Sequence, residues 1–228
     1  MNRQHIVVLA IAAVLAVIAW REDVITPERL LFIAILGISI ILHEVSHGWA
    51  ALGFGDETAK EAGRLTLNPL AHIDPFGTLI LPALLIFTTG VGFGYAKPVP
   101  VNPRRMRDPR NHSLFVALAG PATNLLIVVV ATLLYRSISP FPGTFTFEVL
   151  IGFGLLNVAL AVFNLIPIPP LDGSAVIERV LPRQWWPGYI RLRQYSMLIL
   201  LAIVFLLPGG FSRIIEPAVD IWAGFLQG

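Results

Sequence analysis

The chain has 228 residues, of which 56% are hydrophobic and only 13% are charged, and its mean hydropathy is +0.76. A water-soluble domain of this length needs more charge to cover its surface, so the composition indicates a membrane protein. The pI is near 9.3, but a net charge of only +2 argues against a nucleic-acid partner. The absence of cysteine excludes disulfides, thiolate metal ligands and a cysteine nucleophile.

Six apolar runs follow one another along the chain, at residues 6–20, 30–54, 76–93, 114–135, 147–168 and 197–207. A spanning helix needs about 20 residues, a length that the second, fourth and fifth runs reach. The first run has the outline of a signal peptide but lacks a small-residue cleavage site, so we interpret it as a retained helix. The sequence predicts one all-α polytopic membrane domain over residues 1–228, with five to six transmembrane helices.

The third run, 76–93, is ambiguous because it carries Pro82 and leads into the glycine-rich stretch 90–94. This composition suits a re-entrant loop or a β-hairpin sheltered by protein as well as a spanning helix. The distribution of arginine and lysine barely separates these topologies. The last stretch, 214–226, is apolar but contains two acidic residues, which favours a helix in the membrane interface.

The strongest chemical signal is the H-E-x-x-H pattern formed by His43, Glu44 and His47. Residues four apart lie on one face of a helix, so the two imidazoles can bind a single metal ion. Glu44 lies about 100° around the helix, where it can act as general base towards a water on that metal. Ionisable residues inside an apolar run are energetically costly and usually functional.

A site with two histidines needs a third protein ligand. The candidates are carboxylates and histidines elsewhere in the chain: Asp172, Asp74, His72, Asp108, Glu148 and His112. We favour Asp172 because three prolines, at 167, 169 and 170, unwind the backbone just before it, and unwound backbone at membrane depth lines polar cavities. The alternative is that Asp172 only caps a helix beginning at Gly173.

Three blocks together resemble the site-2 protease family of intramembrane metalloproteases. They are H-E-x-x-H at 43–47, G-P-A-T-N at 120–124 and N-L-I-P-I-P-P-L-D-G at 164–173, and the resemblance covers residues from about 30 to 182. It implies one Zn²⁺ per chain, held by His43, His47 and Asp172, with Glu44 as base. It further implies cleavage of a transmembrane protein substrate in the lipid bilayer, in regulated intramembrane proteolysis. The chain resembles the compact members, without PDZ or nucleotide-binding domains.

The same resemblance implies a three-helix catalytic core whose first and third helices are parallel, with the metal ligands towards the cytosolic side of a multi-pass cell-membrane protein. Two parallel helices separated by one spanning helix require that run 76–93 makes no net crossing. This favours the re-entrant or hairpin topology, in which 12 of the 16 basic residues lie on the cytosolic side.

Other polar residues have two interpretations each. Asn124 and Asn164 could contact substrate or stabilise an oxyanion, or could join helices through hydrogen bonds. His72 could contact substrate or belong to a surface loop. The segment G-Y-A-K-P-V-P at 94–100 could pair with an unwound substrate as a free strand edge, or could be a structured loop.

Alternative functions remain a metal-ion transporter, a non-catalytic membrane adaptor and a prenyl-protein protease. The intact H-E-x-x-H motif argues against the first two, because transport and adaptation need no general base. The proline-rich L-D-G block argues against the third. The substrate, the cleaved bond, the trigger and the oligomeric state do not follow from the sequence.

Overall fold

The structure is a computed structural model that describes residues 26–74, 97–206 and 210–227. Within these ranges the chain is helical and contains no strand, which confirms the all-α prediction for this part of the molecule. The helices are α1 (Pro27–Gly53), α2 (Thr58–Glu61), α3 (Pro109–Ile138), α4 (Phe145–Leu165), α5 (Ser174–Val180), α6 (Trp186–Arg193), α7 (Ser196–Leu206) and α8 (Gly210–Gln227).

Three of the described helices, α1, α3 and α4, are long and apolar enough to span a membrane. They correspond to the second, fourth and fifth apolar runs of the sequence. The predicted runs at 6–20 and 76–93 lie outside the described residues. The count of five to six spans and the re-entrant or hairpin segment therefore stay predictions.

Each of the three spans begins at a polar capping residue. The Thr26 hydroxyl accepts a hydrogen bond from the Arg29 amide at 3.3 Å. The Asp108 carboxylate and the Thr144 hydroxyl accept in the same way at the starts of α3 and α4. Such caps satisfy amide groups that have no partner in the first turn, and this sets where each helix starts.

The three spans pack side by side, with α3 antiparallel to α1 and α4 parallel to α1. The end of α1 meets the start of α3, where the Phe54 ring stacks on His112 with 4.1 Å between ring centroids. The backbone amide of Arg107 also donates to Phe54 O at 3.2 Å. A short turn then joins α3 to α4. The carboxyl ends of α1 and α4 therefore lie at the same end of the bundle.

Small and polar residues join the spans. The Asn157 side chain on α4 donates to Ser39 Oγ on α1 at 2.8 Å, and both residues are fully buried. Lipid tails are as apolar as leucine, so helices associate in a bilayer through close packing and hydrogen bonds. Ser39 lies one turn before His43, so this contact fixes the metal-binding part of α1 against α4.

The C-terminal helix α8 packs on the same bundle. Trp222 is buried beside Gly154 of α4, and its indole N–H donates to Thr132 Oγ1 of α3 at 2.9 Å. Ile215, seven residues earlier, is also buried. The stretch predicted as an interfacial helix is therefore a helix whose apolar side contacts α3 and α4.

Candidate metal centre

Two histidine side chains of α1 point to the same position inside the bundle. His43 and His47 are 7% and 8% exposed, and their Nε2 atoms are 3.1 Å apart. This proximity follows from the spacing of four residues, which places both side chains on one face of the helix. The two rings meet edge to face at an interplanar angle of 84°, and their Nε2 atoms adjoin one point.

Asp172 reaches that point from the loop that follows α4. Its Oδ2 lies 3.0 Å from His43 Nε2 and 3.4 Å from His47 Nε2. The chain reverses sharply here, because the Gly173 amide donates to Asn164 O at 2.6 Å. A Cβ at position 173 would lie 2.3 Å from Leu165 O, so only glycine allows this close return to the helix end.

The outer nitrogen of each imidazole is already hydrogen-bonded. His43 Nδ1 lies 3.0 Å from Asn124 Oδ1, and His47 Nδ1 lies 2.7 Å from Val116 O. Both partners are carbonyl oxygens, which only accept, so both Nδ1 atoms must carry the hydrogen. In the neutral imidazoles, both Nε2 lone pairs then face Asp172. Three electron-pair donors that face one another in this way suit a bound metal cation.

The geometry of these donor atoms fits a zinc ion. Tetrahedral Zn²⁺ with bonds of about 2.0–2.1 Å separates its ligand atoms by about 3.3 Å. The three separations of 3.0, 3.1 and 3.4 Å bracket this value. The buried Asp172 Oδ2 has no hydrogen-bond partner among the described residues, as expected for an atom whose partner is a metal. Histidine nitrogens and a carboxylate oxygen are ordinary zinc ligands.

Gly120 lets α3 approach the two imidazoles. A Cβ at this position would lie 2.5 Å from His43 Nε2 and 2.5 Å from His47 Nε2. Any larger residue would displace the rings or the helix. The next residue, Pro121, has no N–H and so interrupts the hydrogen bonding of α3 at this level. The G-P-A-T-N block therefore forms the wall of the site that faces α1.

Glu44 is half-buried beside the two histidines in α1. Its Oε2 accepts a hydrogen bond of 2.9 Å from the backbone amide of Val99, 55 residues further along the chain. One carboxylate oxygen is therefore fixed by the protein. The other oxygen keeps its capacity to accept a proton.

The three polar residues predicted as possible substrate or oxyanion contacts have different hydrogen-bond partners in the structure. Asn124 is fully buried and bonds to His43. The Asn164 side chain donates to Leu160 O at 3.0 Å, within its own helix. His72 is 3% exposed, and its Nε2 donates to Thr66 O at 2.8 Å. The predicted contacts of these residues with substrate stay predictions.

Several groups at the centre were missed by sequence reasoning. Val116 O and the Val99 amide are backbone groups. Their contacts cannot be predicted from the type of side chain at those positions. Ser39 and Asn157 were available as a signal, because a polar residue in an apolar run needs a partner. Gly120 lies in the G-P-A-T-N block, which was part of the family resemblance, but the sequence assigned no role to this glycine.

The family model of peptidase family M50 matches residues 31–147 and 143–207. The chain belongs to this family. This confirms the predicted resemblance to the site-2 proteases, which are M50 peptidases.

Several curated relatives match over most of the chain. YwhC of Bacillus subtilis (strain 168) is 36% identical over 80% of this chain and 83% of its own length. Rip2 of Mycolicibacterium smegmatis is 33% identical over 95% of this chain and 81% of its own. The names of both provisionally describe zinc metalloproteases. MJ0392 of Methanocaldococcus jannaschii, named a zinc metalloprotease, is 25% identical over 78% of this chain and 42% of its own. No solved structure matched.

The family and the structure together identify a zinc-dependent metalloprotease of the membrane. This confirms zinc as the predicted cofactor. The group formed by His43, His47 and Asp172 can hold one metal ion.

Proposed function

We propose that this M50 protein is an intramembrane endopeptidase that hydrolyses a peptide bond within or near a transmembrane segment of another membrane protein. The observation that carries the proposal is the convergence of three metal-ligand atoms, separated by 3.0–3.4 Å, two of them on a helix long enough to span the bilayer and the third on the loop after α4. A role in regulated intramembrane proteolysis follows from the family resemblance.

In this proposal His43, His47 and Asp172 hold zinc through Nε2, Nε2 and Oδ2. Asn124 Oδ1 and Val116 O keep both histidines in the tautomer that leaves Nε2 free. Zinc supplies Lewis acidity, which activates a water molecule and polarises a peptide carbonyl. Glu44 takes the proton from the attacking water and passes it to the nitrogen of the leaving amine.

The substrate must lose its helical structure where it is cut. A helix engages each carbonyl in a hydrogen bond to the amide four residues later, which hides it from attack. Glycine, proline or polar residues near the cut position weaken that structure. We therefore expect substrates whose transmembrane segments carry such residues near the end that faces the active site.

The proposed orientation places the site towards the cytosol. His47 and His43 lie six and ten residues before the end of α1, so about 9 and 15 Å along its axis. Most of the basic residues lie in segments at this end of the bundle, which agrees with the enrichment of arginine and lysine on the cytosolic side. The His72 carbonyl accepts from the Lys97 amide at 2.9 Å, which supports a segment 75–96 without net crossing.

Zinc content and cleavage test the proposal together. Wild type, Glu44→Gln and Asp172→Asn would be purified without chelator and analysed for metal by mass spectrometry. Each would then be reconstituted with a panel of single-span proteins that carry glycine or proline near the cytosolic end of the span. We expect about one zinc per chain in wild type and Glu44→Gln, and much less in Asp172→Asn, with cleavage by wild type alone.

Matched variants control for charge removal in general. Glu148→Gln and Asp220→Asn change exposed acidic residues of α4 and α8, and both should retain zinc and cleavage. Cleavage by Glu44→Gln at the wild-type rate would refute the role of Glu44 as base. Full zinc binding by Asp172→Asn would refute the assigned ligand set.

A further inference from the structure

Arg64 is a buried cation that the mechanism above does not use. It is only 7% exposed, and its guanidinium donates to the carbonyl of Lys97 at 2.6 Å and to that of Pro98 at 3.5 Å. No carboxylate lies within 4.0 Å of it in the described part of the chain. Burying a charge is costly, so an arginine whose acceptors are two successive carbonyls indicates that the position of those carbonyls matters.

The segment that Arg64 holds is the one that contacts the proposed general base. The Val99 amide donates to Glu44 Oε2 at 2.9 Å, directly after the two carbonyls bound by Arg64. Pro98 and Pro100 flank Val99 and have no N–H. Val99 is therefore the only residue among 98–100 that can donate a backbone hydrogen bond to Glu44.

Two further contacts fix this segment at both sides of the hydrogen bond. The Val99 side chain is 7% exposed and lies so close to Gly48 that a Cβ there would be 3.0 Å from Val99 Cγ1. Gly48 directly follows the metal-ligand candidate His47. On the other side, the Lys97 amide donates to His72 O at 2.9 Å. The segment is thus seated on α1 beside the metal centre.

A free strand edge would offer backbone amides and carbonyls without partners. In this segment the contacts described above already occupy such groups. The amides of Lys97 and Val99 and the carbonyls of Lys97 and Pro98 are all bonded within the protein. A substrate could pair with these groups only after displacing the protein's own partners. Within residues 97–99 the structure therefore favours a structured loop over a free edge.

We propose that Arg64 is a positioning residue for Glu44: it holds the carbonyls of Lys97 and Pro98 so that the Val99 amide fixes one carboxylate oxygen and directs the other towards the metal centre. The inference rests on the proposed function, because it assigns the purpose of Arg64 through the role of Glu44 as base. Both carbonyls are reached from one guanidinium nitrogen, Nη2, so the position of the segment depends on that single group.

The link can be measured without any substrate. The chain contains two Pro–Val pairs, 98–99 and 100–101. Protein labelled with ¹³C at proline carbonyls and ¹⁵N at valine, in nanodiscs with zinc bound, therefore gives two amide signals in a carbonyl-edited spectrum. We expect the Val99 proton downfield, because its acceptor is charged, and an upfield move in Glu44→Gln that leaves the Val101 signal unchanged.

Arg64→Gln should shift the Val99 signal in the same direction as Glu44→Gln does while keeping about one zinc per chain. Arg64→Lys should fall between wild type and Arg64→Gln. Arg105→Gln is the matched control, because Arg105 is an exposed neighbour paired with Glu61 at 2.6 Å, and it should leave both signals in place. On a substrate cleaved by wild type, Arg64→Gln should lower kcat about 10- to 100-fold with little change in KM.

A Val99 signal that does not respond to Glu44→Gln overturns the proposal, and this result does not depend on how the Arg64 variants fold. An unchanged Val99 signal in zinc-loaded Arg64→Gln, or an unchanged kcat, overturns it as well. Failure of the proposed function appears differently, as absence of cleavage by wild type while the Val99 signal still responds to Glu44→Gln.

Discussion

Gly120 of α3 lies where a side chain would meet both metal-ligand histidines. We predict that Gly120→Ala weakens zinc binding about 10- to 100-fold, a loss typical when the groups that orient metal ligands are disturbed. The physical reason is steric: the added Cβ would lie 2.5 Å from Nε2 of both His43 and His47. Competition with a zinc chelator, followed by metal analysis, measures the change in affinity.

Gly37→Ala is the matched control, since a Cβ at Gly37 in α1 would have no atom of the described residues within 4 Å apart from its chain neighbours and the adjacent backbone of its own helix. Alanine is the better helix former of the two, so this variant should bind zinc normally and unfold no more easily than wild type. Equal zinc affinity in Gly120→Ala and Gly37→Ala would contradict the close approach of α3 to the histidines.

Asp56 joins the end of α1 to the segment that leads into α3. Its fully buried carboxylate accepts from the Thr58 amide at 3.0 Å and from the Asn102 amide at 2.6 Å. Burial alone would raise the pKa of this carboxyl, but its donors and nearby Arg105 hold the pKa below the ordinary value. The stabilisation is therefore complete above the unfolded-state pKa of about 3.9 and is lost as the pH falls through the lower folded pKa.

We predict that Asp56→Asn unfolds more easily than wild type at pH 7, by about 1.5–3 kcal/mol for each charge-assisted hydrogen bond weakened. The difference should begin to shrink below about pH 4, where the carboxyl of the unfolded wild-type chain takes up its proton, and should shrink further as the pH falls through the lower folded pKa. Thermal unfolding of zinc-free protein in detergent, followed by circular dichroism from pH 3 to 7, measures it. Zinc is removed so that protonation of the metal ligands does not contribute, and a pH-independent difference would argue against the role of the Asp56 charge.

At this scale the sequence predicts the grouping of His43, His47 and Asp172, but not the backbone groups that contact the site. His43, Glu44 and His47 were foreseeable because helical periodicity alone puts them together. Asp172 was foreseeable because prolines before it unwind the chain where an acidic residue would otherwise be costly. The contact between Glu44 and Val99 was not foreseeable, since it joins residues 55 positions apart through a backbone amide. The two prolines around Val99 were a signal only in retrospect.

At the scale of the helices, Trp222 determines how α8 packs. We predict that Trp222→Ala destabilises the protein by an amount below the ~3–5 kcal/mol typical of such changes in soluble cores, because lipid removes most of the hydrophobic contribution. What is lost is the packing against Gly154 and the hydrogen bond of 2.9 Å to Thr132. Unfolding in mixed micelles measures the change.

Trp185→Ala provides the matched comparison, because this tryptophan is 64% exposed. It should leave the unfolding transition near that of wild type. If both variants unfold alike, α8 does not contribute to the bundle in the way its contacts indicate.

The helices also illustrate what an apolar run can predict. The apolar runs 114–135 and 147–168 predicted α3 and α4. Helix α3 begins earlier than its run, at Pro109, because Asp108 caps it there. α4 ends at Leu165, before the prolines, as the unwinding argument expected. The stretch 214–226 has the composition of an interfacial helix, and composition does not reveal that Trp222 finds a glycine to pack against on α4. Such pairings depend on the tertiary arrangement.

For the whole molecule, the arrangement of the three spans determines which loops share a side of the membrane. Helices α1 and α3 contain 27 and 30 residues, so about 40 and 45 Å of helix, more than the ~30 Å of hydrocarbon. Both are therefore long enough to cross the hydrocarbon of a bilayer. In the proposed membrane arrangement the parallel α1 and α4 place the loops after α1 and after α4 on one side, and the turn between α3 and α4 on the other.

Single cysteines test this arrangement cleanly, because the chain has none of its own. We predict that Glu57→Cys, Arg104→Cys and Gln184→Cys react with a membrane-impermeant maleimide only after the cells are opened, since all three exposed positions lie at the proposed cytosolic end. Phe141→Cys, at a residue 81% exposed between α3 and α4, should react on intact cells. Reaction of positions 57 and 104 from opposite sides would mean that residues 75–96 cross the membrane. Reaction of all four in the reverse sense would keep the bundle and place its metal centre on the outer side.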